Sequence, residues 1–366
     1  MLKIASRIML AGTVSATAMA AQAEVIVGVV GPMTGQYASF FEQLTNGAKV
    51  AVERINADGG VNGEQLVLQI EDDACDPKQA VAVANKLAAA GAQAVFGHFC
   101  SAASIPASDI YDESGIVMIN PAATSPMLTE RGVPTVFRTA GRDDKQALVI
   151  ADEIVRRKLG ERIAIVHDKS THGLGIAEGV KAALNEKGIQ EISFDSLTAG
   201  EKDFSTLVTT LKAQDPDVVY FGGYFAEAGL LVRQAREAGM TATFIGDDGV
   251  ASSEFPSIAG KAADGFLMTF PPDPRQNPAS AETVAAFREK GIEPEGYTLY
   301  TYAAVEVFDQ AAEAAGATSG PAMVDALRDG SFDTVMGTLD FDEKGDSSTE
   351  PFILYKWEGA TYTPLP

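Results

Sequence analysis

The stretch QLVLQIEDDACDPKQAVAVANKLAAAGAQAVFGHFCSAASIPASDIYDESGIVMIN (65–120) alternates short apolar runs with helical segments. QLVLQIE (65–71) is followed by a helix from Pro77 to Ala90, QAVFGH (93–98) by one from Ser101 to Ser114, and GIVMIN (115–120) closes the series. Strands that each feed a helix imply a parallel sheet with crossover helices on both faces. VIVGVV (25–30) and a helix from Phe40 to Asn56 extend the pattern towards the N-terminus, and the lobe ends near residue 140. Asp143 to Lys158 reads as a helix opened by the acids Asp143 and Asp144 and closed by Arg156, Arg157 and Lys158, as a helix dipole prefers. The alternation then restarts. Strands RIAIVHD (162–168), EISFD (191–195), DVVYFGG (217–223) and TATFIGD (241–247) frame helices Gly175–Lys187, Phe204–Ala213 and Ala226–Gly239. From Pro271 come three helices, Ser280–Lys290, Tyr297–Ala314 and Pro321–Arg328, and a β-rich tail around TLDFDEKGD and PFILYKWEG. With so few strands of its own, this last block is expected to return to the first lobe. The fold class is therefore α/β, with two Rossmann-like lobes.

The N-terminus reads MLKIASRIMLAGTVSATAMAAQA (1–23), with Lys3 and Arg7 before an apolar run and Ala21-Gln22-Ala23 before Glu24. This is the pattern of a secretory signal peptide cleaved after Ala23; an uncleaved anchor helix is the weaker alternative. The whole chain of 366 residues carries 28 Lys+Arg against 50 Asp+Glu, a net charge of −22. Cleavage removes two basic and no acidic residues, leaving 26 against 50 and a net charge of −24. Such a field repels phosphate backbones and anionic lipid, so no nucleic-acid or membrane-surface partner is expected.

Little in the composition supports metal or catalytic chemistry. Two cysteines and three histidines leave scant material for a metal site. In an exported protein Cys75 and Cys100 most simply pair; the alternative makes them metal ligands with His98. Gly173, Gly175 and Gly179 have G-x-G-x-x-x-G spacing, one residue too long for a dinucleotide fingerprint, and read as a turn and helix start. Asp340 to Asp346 resembles a calcium loop, but Lys344 occupies an oxygen-donor position and Pro351 stands where the bidentate Glu belongs, so a solvated turn is preferred. No nucleophile accompanies the acid pairs Asp72-Asp73 and Asp247-Asp248. Each pair ends a strand, where open α/β sheets bind ligands, and an anchor for a cationic group is the more economical reading.

The segments 72–132, RIAIVHDKSTHGLG (162–175), 199–224 and DTVMGTLDFDEKGD (333–346) resemble the periplasmic leucine/isoleucine/valine-binding proteins of ABC importers, and the resemblance spans essentially the whole mature chain. It implies a type I periplasmic binding fold, two lobes joined by three crossovers, with segments 24–142 and 271–351 in one lobe and 143–270 and 352–366 in the other. It also implies a Cys75–Cys100 disulfide, a free amino acid held between the lobes by hinge closure, permease subunits as partners, a periplasmic monomer, and neither enzyme activity, cofactor nor metal.

By resemblance Ser101 and Thr124 take the ligand carboxylate. The Ala122 carbonyl and Thr124 help with the ammonium beside Ala123, Asp248 stands where the family usually has Glu, and Tyr224 closes over the ligand. Phe40 replaces another aromatic, Phe99 a leucine and His172 a tyrosine; Tyr297 matches a position that is Phe in some relatives. Phe99 facing Tyr297 is expected to shrink the pocket towards alanine, valine, proline or γ-aminobutyrate. A ligand-sensing receptor module of the same fold, for amino acids or amides, and an exported enzyme using the acid pairs are the competing readings.

Overall fold

The computed structural model describes residues 24–348 and 352–366; the expected signal segment and its cleavage site lie outside the described residues. The first lobe is a parallel five-stranded sheet in the order β2-β1-β3-β4-β5, built from β1 Glu24–Gly31, β2 Gln65–Asp72, β3 Ala94–Gly97, β4 Val117–Asn120 and β5 Val136–Arg138. Its helices are α1 Ala38–Ala57, α2 Pro77–Ala89, α3 Ser101–Glu113 and the short α4 Met127–Glu130. Local chemistry sets their starts. α2 begins where Asp76 accepts the N–H groups of Lys78 and Gln79 and Pro77 occupies the first turn.

The second sheet has seven strands in the order β14-β13-β10-β9-β8-β6-β7. β6 Ile163–His167, β7 Ser193–Ser196, β8 Val218–Gly222, β9 Thr243–Gly246 and β10 Leu267–Phe270 are parallel; β13 Ile353–Glu358 and β14 Thr361–Pro364 add an antiparallel edge. Around it lie α5 Asp143–Arg156, α6 Thr171–Glu186, α7 Ser205–Gln214, α8 Phe225–Glu237 and α9 Glu254–Ala259. α6 starts four residues before the expected Gly175, because the Ser170 hydroxyl accepts the Gly173 N–H at 2.9 Å. Gly173 therefore lies inside the helix. A Cβ there would stand 2.2 Å from Asp168 Oδ1 and 2.5 Å from the Gly222 carbonyl, so the glycine serves close helix-to-strand packing rather than a phosphate.

After β10 the chain forms α10 Ala281–Glu289, α11 Thr298–Ala315, α12 Gly320–Asp329 and the hairpin β11 Ser331–Thr334 with β12 Gly337–Asp340. α11 lies beside the first sheet and packs on α1. Gly47 permits the contact, since a Cβ there would lie 2.2 Å from the Thr298 carbonyl oxygen. The chain thus passes between the sheets after β5, after β10 and between β12 and β13. Among the described residues no helix is long and apolar enough to cross a membrane.

The turn after β12 differs from the solvated loop expected: Asp346 is buried and pairs with Arg138 and Arg142. Cys75 and Cys100 form a disulfide with Cα atoms 5.4 Å apart. His98 is occupied elsewhere, with Nδ1 2.6 Å from Asp73 and Nε2 2.9 Å from the Tyr111 hydroxyl, so the three-ligand metal alternative fails.

Candidate functional site

The C-terminal ends of the parallel strands in both sheets face one seam, as open α/β sheets dictate. The first lobe contributes donors. Cys100 is the N-cap of α3, so Ser101 is the first helical residue, and the helix begins with N–H groups that have no place in its own ladder. Ser101 is not the cap; its hydroxyl accepts the Ser125 N–H at 3.3 Å. Asn120 ties the two strand-end loops together. Its amide donates to the carbonyls of Gly97 and His98 at 2.9 and 3.0 Å, and its oxygen accepts the N–H groups of Ala122 and Ala123 at 3.0 and 2.7 Å. Thr124, in the second loop, is buried and reaches across to His172 Nδ1 at 3.1 Å.

The second lobe contributes acceptors. Asp247 is satisfied by the N–H groups of Gly223 and Gly249 and by the Tyr220 hydroxyl. Its neighbour Asp248 is buried, takes a hydrogen bond from the Tyr297 hydroxyl on one oxygen, and leaves Oδ1 without a partner among the described residues. Burial pushes the Asp248 carboxyl up to about 7, with Asp247 and Asp143 adding to the effect and His172 opposing it. His172 Nδ1 lies 3.2 Å from Asp143, and Nε2 3.3 Å from Asp247. Burial alone would lower the imidazole pKa, but these two carboxylates hold it well above its ordinary value. Three buried carboxyl groups, Asp143, Asp247 and Asp248, thus surround a single imidazole, an excess of acid over base that calls for a cation.

A metal is the less suitable cation. Asp143, His172 and Asp248 place their ligand atoms within 4.8 Å of one another. A histidine ligates a metal through a neutral nitrogen, whereas this ring is held protonated between two carboxylates.

Aromatic rings wall the seam. Phe40 stacks on Phe99 with centroids 4.3 Å apart, and Phe99 meets Tyr297 edge-on at 5.5 Å. Tyr224 lies 6.1 Å from Phe99 and 5.3 Å from His172. The structure thus gathers Phe40, Phe99, Ser101, Ala122, Ala123, Thr124, His172, Tyr224, Asp248 and Tyr297 in buried positions around the seam. It places Asp72 elsewhere, bound to the Met33 and Thr34 N–H groups, and Asp73 on His98.

Two further features escaped the sequence. Asp143, read only as a helix-opening acid, begins α5 and also faces His172; nothing local separates the two roles. Glu227 on α8 bridges the lobes, accepting from Gln36 at 2.6 Å and from Tyr37 at 3.2 Å while also taking the Gly200 N–H. Only the long-range packing brings these groups together.

A sequence profile described as periplasmic binding protein matches residues 24–361. The chain belongs to the periplasmic binding protein family. An amino acid binding protein of Pseudomonas aeruginosa is 48% identical over 341 residues, covering 92% of this chain and 91% of the relative. Leu/Ile/Val-binding protein homolog 1 of Brucella melitensis is also 48% identical, over 339 residues and the same shares of the two chains. Among solved structures, a leucine binding protein from Thermotoga maritima superposes with a TM-score of 0.87 at 25% identity, covering 93% of this chain and 98% of that one. An ABC transporter substrate-binding protein from Desulfitobacterium hafniense in complex with Leu gives 0.76 at 29% identity, covering 93% and 100%. The two-lobed fold is that of the type I periplasmic binding proteins, and the chain is a substrate-binding protein of the branched-chain amino acid ABC transporter type.

Proposed function

We propose that this binding protein carries a small free amino acid, held in the seam, to a permease at the membrane. The observation that supports it most is the polarity of the seam: hydroxyls and a helix N-terminus on the first lobe oppose buried, under-partnered carboxylates on the second. That pattern complements a zwitterion. The ligand carboxylate sits against Ser101, Thr124 and the start of α3; the ammonium takes Asp248, with Asp143, Thr124 and the Ala122 carbonyl beside it. Between them the ligand side chain meets Phe40, Phe99, Tyr224 and Tyr297.

The ring of Phe99 against Tyr297 narrows this space. Each methylene that no longer fits forfeits about 0.8 kcal/mol of transfer free energy. The preferred ligands are alanine, valine, proline or γ-aminobutyrate, with leucine and isoleucine weaker. The protein works without catalysis, as an exported periplasmic monomer cleaved after Ala23. The segments 24–142 and 271–351 move as one lobe against 143–270 and 352–366.

A thermal-shift screen over the proteinogenic amino acids and γ-aminobutyrate, followed by calorimetry, tests the reading. Ligand at 100 times its Kd adds about 2.7 kcal/mol of stability. Leucine binding tenfold tighter than any smaller ligand would defeat the narrowed pocket. Conversion of the bound amino acid on prolonged incubation would defeat the non-enzymatic role.

A further inference from the structure

The loop that presents Thr124 is held from behind by a charged pair that does not touch the seam. Arg138, at the end of β5, is fully buried. Its Nη1 donates to the carbonyls of Ala123 and Ser125 at 3.0 and 2.9 Å, the residues on either side of Thr124. Its Nη2 donates to the Thr129 hydroxyl at 2.9 Å, and its Nε to Asp346 Oδ1 at 2.9 Å.

Asp346 comes from the third passage between the sheets, more than two hundred positions along the chain from Arg138. The same carboxylate accepts from Thr129 and, at 2.5 Å, from Arg142 Nη1. Arg142 directly precedes Asp143, whose N–H donates to the Thr124 carbonyl at 2.9 Å. Asp346 therefore grips two arginines. One fixes the main chain around Thr124, and the other adjoins the residue that faces His172.

We propose that Arg138 and Asp346 are positioning residues for the ligand site, a buried pair that fixes the Ala123–Ser125 main chain and, through Arg142, the start of α5. The planar guanidinium suits this task. It serves two carbonyls, a hydroxyl and a carboxylate at once, which the compact ammonium of lysine cannot do from one place. Burial would raise the Asp346 carboxyl, but Arg138 and Arg142 hold it below its ordinary value, so the clamp stays charged at neutral pH. The third passage of the chain thereby sets ligand geometry as well as joining the lobes.

The test reads two amides by hydrogen exchange: Ser125, whose N–H meets the Ser101 hydroxyl, and Asp143, whose N–H meets the Thr124 carbonyl. In Arg138→Lys and in Asp346→Asn both amides are expected to exchange at least tenfold faster, with amides of β6 and β8 unchanged. Titration with L-valine and with γ-aminobutyrate is expected to show each probe that binds the parent protein weakened at least tenfold. Wild-type exchange at Ser125 and Asp143 in the folded variants overturns the proposal, as does uniform acceleration across the whole protein. Should Asp346→Asn fail to fold, Arg138→Lys and Thr129→Val carry the same measurement. The binding arm rests on the ligand reading above: if neither probe binds the parent protein, that reading fails and the exchange rates still decide the clamp.

Discussion

Asp248→Asn is expected to make the protein more stable and a poorer binder at once. The carboxyl is buried, leaves Oδ1 without a partner among the described residues, and has its pKa pushed from the ordinary 3.8 to about 7. Because the folded-state value is raised, the folded protein holds a proton that the unfolded chain releases. In this closed arrangement the contribution of Asp248 to stability is greatest below about pH 4 and falls as pH rises towards 7, by roughly 1.4 kcal/mol per unit and about 4 kcal/mol in all. Asparagine keeps an oxygen for the Tyr297 hydroxyl and removes the titration. Chemical unfolding without ligand should therefore show the variant more stable than the parent by up to about 4 kcal/mol at pH 8, and equal to it at pH 4. Binding moves the other way. An ammonium 4 Å from an ionised carboxylate gains about 4 kcal/mol at an effective dielectric of 20, so the substitution should weaken binding a hundredfold to a thousandfold at pH 8. The parent should lose up to tenfold in affinity for each pH unit below 7, and the variant should show a flatter profile. Calorimetry of the tightest amino acid across pH 5–8 decides it; parent and variant with Kd values within threefold and parallel pH profiles would refute the assignment of the ammonium to Asp248.

Three more outcomes follow from the geometry. Phe99→Leu removes the ring that stacks on Phe40 and faces Tyr297; calorimetry should show leucine gaining about tenfold in affinity, at a stability cost of about 1 kcal/mol, and no gain for leucine would show that the ring does not limit the pocket. Glu227→Gln weakens the charge-assisted bridge to Gln36 and Tyr37; stopped-flow release should accelerate about tenfold with little change in association, and an unchanged release rate would remove the bridge from closure. Replacing Cys75 and Cys100 by serine opens a link between residues 25 positions apart; denaturant unfolding should fall by about 3.5 kcal/mol in the chain-entropy account, and a loss under 1 kcal/mol would contradict it.

The alternation of apolar runs with helical stretches made both sheets legible, because a parallel strand buried on two faces must be apolar throughout and its crossover helix must follow. β5, β10 and β14 were not resolved in the sequence. They span only three to four residues, and β14 is a largely exposed edge strand whose partner β13 alone gives it a role. The seam was legible in part for a similar reason: Ser101, Thr124, Tyr224 and Asp248 all follow strands at the end where such sheets bind ligands. Asp143, Glu227 and Arg138 were not. Acids in the first turn of a helix, as Asp143 and Glu227 both are, and an arginine ending a strand are common surface patterns, and the burial that gives each a task comes from segments remote in the chain. The glycine series misled in the opposite direction. Gly173 looked like part of a turn, whereas its lack of a side chain lets α6 approach Gly222.

The proposed ligand site makes a further outcome of the charge cluster testable, a dependence of lobe closure on pH. His172, Asp247 and Asp248 lie on the second lobe with Asp143 at its entry, whereas Thr124 and Tyr297 approach them from the first lobe. In this arrangement the Asp248 pKa is about 7; separating the lobes is expected to hydrate these carboxylates and bring that pKa back towards its ordinary 3.8. The closed form is then expected to bind a proton that an open form releases, so that without ligand closure is favoured as pH falls from 7 towards 4 and opposed as it rises. His172 does not reverse the sign, since the same carboxylates hold its pKa well above 6.5 and it stays protonated across this window. In the proposed function a proton and the ligand ammonium compete for this carboxylate, and each is expected to neutralise the charge that resists closing. Small-angle scattering of the ligand-free protein should show the radius of gyration falling between pH 7.5 and 5 in the parent, with a smaller change in Asp248→Asn. A radius independent of pH in the parent, or one that grows on acidification while the protein remains folded, would break the link between this carboxylate and closure.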